Sequence, residues 1–151
     1  MSVSIDQIKE LREKTGAGIM DCRRALDETD GDFTKAEEIL RIKGIERAEK
    51  KALEREVKAG RVFSYVHHTG TVAAMVVVAT ETDFVAKLDE VKNLGEEIAK
   101  QVSAMDPQNI EELLAQPYIR DAAKTIDQLI KEISGKTGEK IVVADFKRLS
   151  V

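Results

Sequence analysis

The sequence predicts an α+β protein with a three-helix N-terminal module, a connecting helix, and a small three-stranded antiparallel sheet with helices on one face. Apolar residues recur at helical spacing through the first 43 positions. A densely charged stretch follows at residues 46–58. Beyond it, apolar runs of strand length alternate with helical segments, which is typical of the α+β class.

The N-terminal part is predicted to form three short helices. Ser4 is the expected N-cap of the first, the sequence TGAG at residues 15–18 ends it, and Gly44 is expected to stop the third. The apolar positions that mark the three helices are Ile5, Ile8 and Leu11, then Met20, Ala25 and Leu26, then Phe33, Ala36, Ile39 and Leu40.

Residues 46–58 favour a solvated connecting helix, because nine of these thirteen residues are charged, with both signs interspersed. We therefore expect three units: a three-helix domain at residues 1–45, a charged connecting helix at 46–59, and an α+β core domain at 60–151.

The core domain is expected to begin with a β-hairpin, with strands at residues 61–66 and 71–79 around the turn HHTG. The second strand is apolar on both faces, so both faces require cover. We expect one face to be covered by helices. The other is expected to pair with a second copy of the chain, through a patch of Ala73, Met75 and Val77 with Phe63 and Tyr65 alongside.

The remaining elements follow from periodicity and from the two prolines. A long helix is expected from Phe84 to Met105, ended by Pro107, with a short helix at residues 109–115. A further helix is expected at about 120–134, and a closing strand at 141–149.

Composition limits the classes of function. The formal net charge is −4, which argues against direct binding of nucleic acid. Cys22 is the only cysteine, which excludes an internal disulfide and favours a reducing compartment. The N-terminus lacks an apolar signal core, and no apolar stretch approaches ~18 residues. The expectation is a cytoplasmic protein that does not enter a membrane.

Two motifs resemble known sites but lack what those sites need. His67 and His68 are adjacent, so their side chains point apart, and no other histidine or cysteine lies at a ligand-like spacing. The sequence SGKTG contains the Gly-Lys-Thr of a phosphate loop, but it follows a helix, and position 130 is Ile130 rather than glycine. No catalytic set is apparent, so we expect no metal, no cofactor and no active site.

The sequence TETDFVAK at residues 80–87 leaves two interpretations of Phe84 open. Spacing places the ring first in an apolar stripe with Leu88 and Val91, which favours a core residue. Its position at the rim where strand meets helix, beside the N-cap types Thr82 and Asp83, would also allow it to project towards a partner. Periodicity does not decide between them.

Three stretches, taken together, resemble the elongation factor Ts family: LREKTGAGIMDCRRAL at residues 11–26, TETDFVAK, and, in weaker form, KTGEKIVVADFKRL at 136–149. The resemblance implies a ubiquitin-associated-like N-terminal module and a nucleotide-exchange factor for the GTPase elongation factor Tu. Many family members are about twice as long, with a duplicated core, whereas this chain holds one core copy.

The resemblance also implies site residues. Thr82, Asp83, Phe84 and Val85 would insert into the GTPase and disturb its magnesium site, which makes Phe84 a partner anchor. Arg23 stands where relatives carry lysine and keeps the charge. Weaker contacts carry over to Thr137 and Gly138, although the third motif departs from the family pattern.

Two rival classes are weighed against this one. A ubiquitin-associated-like peptide-binding module fused to an unrelated α+β domain would explain residues 1–43 but would leave TETDFVAK without a role. A small NTPase would have to bind nucleotide by itself.

Overall fold

The computed structural model describes residues 3–151, without the side chains of residues 51 and 52. Its first helices are α1 (Ile5–Thr15) and α2 (Ile19–Glu28). Ser4 caps α1 as expected, in a capping box in which its hydroxyl and the side chain of Gln7 each accept the other residue's backbone N–H. The small core of this region consists of Leu11, Cys22, Ala25, Leu26, Ala36 and Leu40.

The third helix does not stop at Gly44, so that prediction is wrong. α3 runs unbroken from Phe33 to Glu54 and includes most of the charged stretch. The helix therefore ends before the expected residue 59. Gly44 instead lies against Gly135 of a later helix: a Cβ at Gly135 would lie 2.8 Å from the carbonyl oxygen of Gly44. The glycines permit close packing of two helices. The likeness to a ubiquitin-associated module and the three domain bounds remain predictions.

A three-stranded antiparallel sheet forms the centre of the rest of the chain. Its strands are β1 (Ala59–Val66), β2 (Val72–Thr80) and β5 (Ile141–Ser150), in the order β1-β2-β5. The expected hairpin of β1 and β2 and the expected closing strand are therefore confirmed. Because β2 and β5 are antiparallel, the end of β2 lies beside the start of β5.

The long helix expected from Phe84 is two helices. α4 (Asp83–Ala86) is a single turn, and α5 (Asp89–Met105) begins after an extended Leu88, with φ −66° and ψ 145°. The interruption at Leu88 removes Phe84 from the stripe of α5. That stripe remains as expected at Val91, Ile98 and Val102, which are fully buried.

The helix expected to begin near Arg120 begins later. A two-stranded hairpin of β3 (Pro117–Tyr118) and β4 (Asp121–Thr125) precedes α7 (Ile126–Thr137). Thr125 caps α7 in a capping box with Gln128, which fixes where the helix starts. The short helix α6 (Ile110–Ala115) is confirmed, with Asn109 as its N-cap.

The two faces of the sheet differ in their cover. Phe63 pairs with Val76 and Tyr65 with Ala74, and this face packs into the main core with α5 and α7. Phe63 and Tyr65 therefore do not accompany Met75, which corrects the predicted patch. The outer face carries exposed apolar side chains: Val62, Val66, Met75 and Leu149 are 60%, 66%, 52% and 75% exposed.

Among the described residues, none of the helices is long and apolar enough to cross a membrane.

Candidate functional site: the Phe84 turn

Residues 82–85, here called the Phe84 turn, lie where β2 passes into α4. Thr82 has the extended backbone of an N-cap, and its hydroxyl accepts the backbone N–H of Val85 at 3.3 Å. The carbonyl of Thr82 accepts the N–H of Ala86, which closes the single helical turn. The chain therefore leaves the sheet through a capped turn.

The turn buries one side chain and presents the next. Val85 is 6% exposed and belongs to the main core, whereas Phe84 is 77% exposed. The core interpretation of Phe84 is therefore excluded. An exposed Phe forgoes ~1.5–3 kcal/mol of burial, so the ring gains that much wherever a partner removes it from water.

Asp83 places a charge beside the ring. Its carboxylate is 66% exposed and lies 2.5 Å from the ammonium nitrogen of Lys87, one turn further along. An ion pair this exposed adds little to stability. Asp83 and Lys87 can therefore exchange this ion pair for contacts with another surface at a small cost in free energy.

A second segment holds the turn in place, and sequence reasoning missed its central residue. The Glu139 carboxylate accepts the backbone N–H of Thr82 at 2.9 Å and the Thr82 hydroxyl at 2.6 Å. Glu139 lies 57 positions away in sequence and reaches Thr82 because β5 pairs with β2. That antiparallel pairing is the signal that could have identified it.

Thr137 and Gly138 also lie at this end of the sheet. Gly138 ends α7 with φ 76°, a left-handed conformation that favours glycine, and its N–H bonds to the carbonyl of Ser134. The Thr137 hydroxyl donates to the carbonyl of Ile133 at 3.0 Å. The structure gives both residues roles inside the chain, beside the Phe84 turn.

Arg23 lies in α2 rather than in this cluster. Its guanidinium is 3.8 Å from Asp27, and its side chain is 61% exposed. Ile19 and Met20, which are four and three positions earlier and so on the same helix face, are 54% and 57% exposed. The result is an exposed apolar surface next to a cation; the sequence indicated Arg23 as a contact residue but Met20 only as a marker of the helix.

The segment that resembles a phosphate loop, residues 134–138, is the C-terminal end of α7 and its glycine cap. A helix C-terminus carries partial negative charge, so it repels phosphate rather than binding it. The rings of His67 and His68 lie 4.1 Å apart, so their side chains do not point apart as expected, and His67 also shares a hydrogen bond with the Tyr65 hydroxyl at 2.8 Å. Within residues 3–151, histidines, cysteines and carboxylates do not gather in groups of three or more that could hold a metal.

The fold and the site define a small α+β protein that presents an exposed aromatic ring on a fixed turn. The family model of elongation factor Ts matches residues 81–151, which include both the Phe84 turn and Glu139.

Full-length relatives extend the match to the rest of the chain. Elongation factor Ts of Thermotoga neapolitana is 39% identical over an alignment of 194 positions, which includes gaps and covers 100% of this chain and 98% of the relative. That of Thermotoga maritima is 40% identical, with 100% and 97% covered. That of Clostridium kluyveri is 42% identical over 149 residues, which are 99% of this chain but 48% of the relative. The chain belongs to the elongation factor Ts family of translation elongation factors.

Proposed function

We propose that the protein is a guanine-nucleotide exchange factor that releases GDP from elongation factor Tu in the cytoplasm, without an active site of its own. The observation that carries the proposal is the Phe84 turn: an apolar ring 77% exposed, directly before a valine that is 6% exposed and fixed in the core. Family membership supports the choice of partner.

The mechanism requires only that the factor bind the nucleotide-free GTPase and the GDP-bound GTPase with different affinities. The GTPase holds GDP through its phosphates and a magnesium ion, which demands near-octahedral ligands at ~2.0–2.1 Å. Insertion of the Phe84 turn displaces the groups around that ion, so the factor binds the nucleotide-free GTPase more tightly than the GDP-bound one. By linkage, the factor then weakens GDP binding by the same ratio by which GDP weakens binding of the factor.

In this mechanism Phe84 is the anchor, Asp83 is a charge beside it, and Thr82 and Val85 hold the turn. Truncating an anchor in an interface costs ~2–4 kcal/mol of affinity, or roughly 30- to 1,000-fold. Because Phe84 is mostly exposed in this structure, its truncation should change the free energy of unfolding by less than ~0.5 kcal/mol.

The test is release of fluorescent GDP from elongation factor Tu, with and without the protein. Phe84→Ala should lose most of the acceleration while keeping the melting temperature of the unmodified chain. Ile119→Ala, which truncates a side chain 45% exposed on another surface, is the matched control and should stay active. An unmodified protein that leaves the GDP release rate unchanged would refute the proposed function.

Two further contacts belong to the same proposal. Arg23, with Ile19 and Met20, offers a second surface for the GTPase, in which two apolar side chains lie beside a cation. Thr137 and Gly138 are proposed as weaker contacts, because they lie beside the Phe84 turn.

We also propose that the chain is a homodimer through the outer face of its sheet. Met75 on the central strand lies in a face with exposed Val62, Val66 and Leu149. Val66, Ala73 and Leu149 lie side by side on this face, whereas Met75 lies between Ser64 and Lys147. Exposed apolar surface of this kind favours a partner, and a two-fold axis offers the same surface in self-complementary form.

A further inference from the structure

Two glutamates link the Phe84 turn, at the end of β2, to the residues just before β5, and each glutamate accepts a backbone N–H from the opposite segment. Glu139, before β5, accepts the backbone N–H of Thr82 at 2.9 Å. Glu81, after β2, accepts the backbone N–H of Lys140 at 2.7 Å. Each carboxylate thus holds an amide of the opposite segment; we call this pair of bonds, with the four residues that make them, the carboxylate clasp.

Thr82 is held at each of its polar groups. Its N–H and hydroxyl donate to the two oxygens of Glu139. Its carbonyl accepts the Thr80 hydroxyl at 2.8 Å, and its own hydroxyl oxygen accepts the N–H of Val85. Hydrogen bonds to a carboxylate are about twice as strong as neutral ones, so Glu139 supplies the strongest restraints on the cap.

The helix that carries Phe84 has little stability of its own. α4 contains four residues, and nucleation of a single helical turn is unfavourable in isolation. Its direction is therefore set by the Thr82 cap at its start and by the burial of Val85 within it. Since Glu139 fixes the cap, loss of its carboxylate should free the turn that aims Phe84.

Arg55, immediately after α3, completes the arrangement. Its guanidinium lies 3.2 Å from the Glu81 carboxylate and 3.3 Å from the carbonyl of Gly138, and its own carbonyl accepts the ammonium of Lys140 at 3.0 Å. A cation here offsets the charge of Glu81 and connects the end of α3 to the clasp.

We propose that Glu139 is a positioning residue for nucleotide exchange: it holds the Phe84 turn through Thr82 so that the ring is presented in one orientation before the GTPase binds. The proposal rests on the proposed function. It assigns Glu139 a role that depends on Phe84 and requires no contact between Glu139 and the GTPase.

The test is a double-mutant cycle on affinity for the nucleotide-free GTPase. Glu139→Ala should weaken binding by roughly tenfold in the unmodified chain, because two charge-assisted bonds are lost. In a Phe84→Ala background it should have little further effect; Phe84→Leu replaces that background if residual binding is too weak to measure. Glu139→Gln, which keeps one acceptor oxygen, should fall between. Glu46→Ala removes an exposed carboxylate on α3 and should change nothing.

Amide hydrogen exchange of the isolated chain gives a second readout that does not need the GTPase. Glu139→Ala should speed exchange at Thr82 and Val85 while the sheet amide of Val76 stays protected, which separates local release from unfolding. Unchanged protection at Thr82, an equal loss of affinity in both Phe84 backgrounds, or full affinity of Glu139→Ala would each overturn the proposal. If the unmodified chain fails to release GDP although Glu139→Ala loses protection at Thr82, the proposed function fails and the structural clasp stands.

Discussion

At the crossing of α3 and α7, alanine substitutions of Gly44 and Gly135 are predicted to change the free energy of unfolding in opposite directions. A Cβ at Gly135 would lie 2.8 Å from the Gly44 carbonyl oxygen, closer than real Cβ contacts allow. A Cβ at Gly44 would lie 3.8 Å from the Gly135 Cα, which is ordinary contact. The atoms that this Cβ would meet belong to the backbone of Gly44 and cannot rotate away, so Gly135→Ala forces the helices apart.

The magnitudes follow from packing and helix propensity. Overpacking of this kind costs ~1–3 kcal/mol, and the gain from replacing glycine in a helix is at most ~1 kcal/mol, less near the end of α7. Gly135→Ala should therefore lower the free energy of unfolding by ~1–2 kcal/mol. Gly44→Ala meets no clash in the middle of α3 and should raise it by ~0.5–1 kcal/mol.

The assay is urea denaturation of both variants, followed by circular dichroism. Thermal unfolding gives a second measure: for a chain of this size, each kcal/mol of change in the free energy of unfolding shifts the melting temperature by ~2–4 °C. Amide hydrogen exchange in α3 then shows whether the loss of stability is confined to the packing of α3 on α7. Equal effects of the two substitutions, or a Gly135→Ala chain as stable as the unmodified one, would refute the packing argument.

Three further predictions concern other parts of the core domain. Gly95→Ala should destabilise by ~1–3 kcal/mol in urea denaturation, because its Cβ would lie 2.1 Å from the Phe63 ring. Burial, together with the hydrogen bond to Glu97, raises the pKa of Tyr118 to about 12. Tyr118 therefore contributes stability that is complete below its unfolded pKa near ~10 and is lost as pH rises through about 12. Glu97→Gln should lower the pKa of Tyr118, as measured by tyrosinate absorbance; an unchanged titration would contradict this. Met75→Lys should shift the sedimenting species from a dimer towards a single chain of 16.8 kDa, and the dimer is excluded if the unmodified chain already sediments at that mass.

The sequence predicted those elements whose signals are local. Ser4 is the N-cap of α1 as expected, the short helix α6 lies within the predicted residues 109–115, and the β1–β2 hairpin follows from two apolar runs around a turn. The start of α7 was predicted too early although Thr125 and Gln128 form a capping box, because apolar spacing alone does not locate the first residue of a helix.

The errors share a different cause, which is contact between distant segments. Glycine often ends a helix, but Gly44 lies inside α3, where it permits close contact with Gly135 of α7. Phe84 continues the spacing of α5, but the break at Leu88 rotates it out of that stripe. Glu139 carries no local signal at all, since its partner is set by strand pairing.

The same pairing explains how two separate motifs can act as one unit. Fixing the backbone of one residue costs ~1–2 kcal/mol, so ordering the four residues of the Phe84 turn only on binding would cost several kcal/mol of affinity. In this structure the order exists beforehand, through the Thr82 cap, buried Val85 and Glu139. In the proposed mechanism, the binding energy gained by burying Phe84 is then available to weaken GDP binding rather than to order the turn. A rigid turn therefore suits a factor whose effect depends on the difference between two states of its partner.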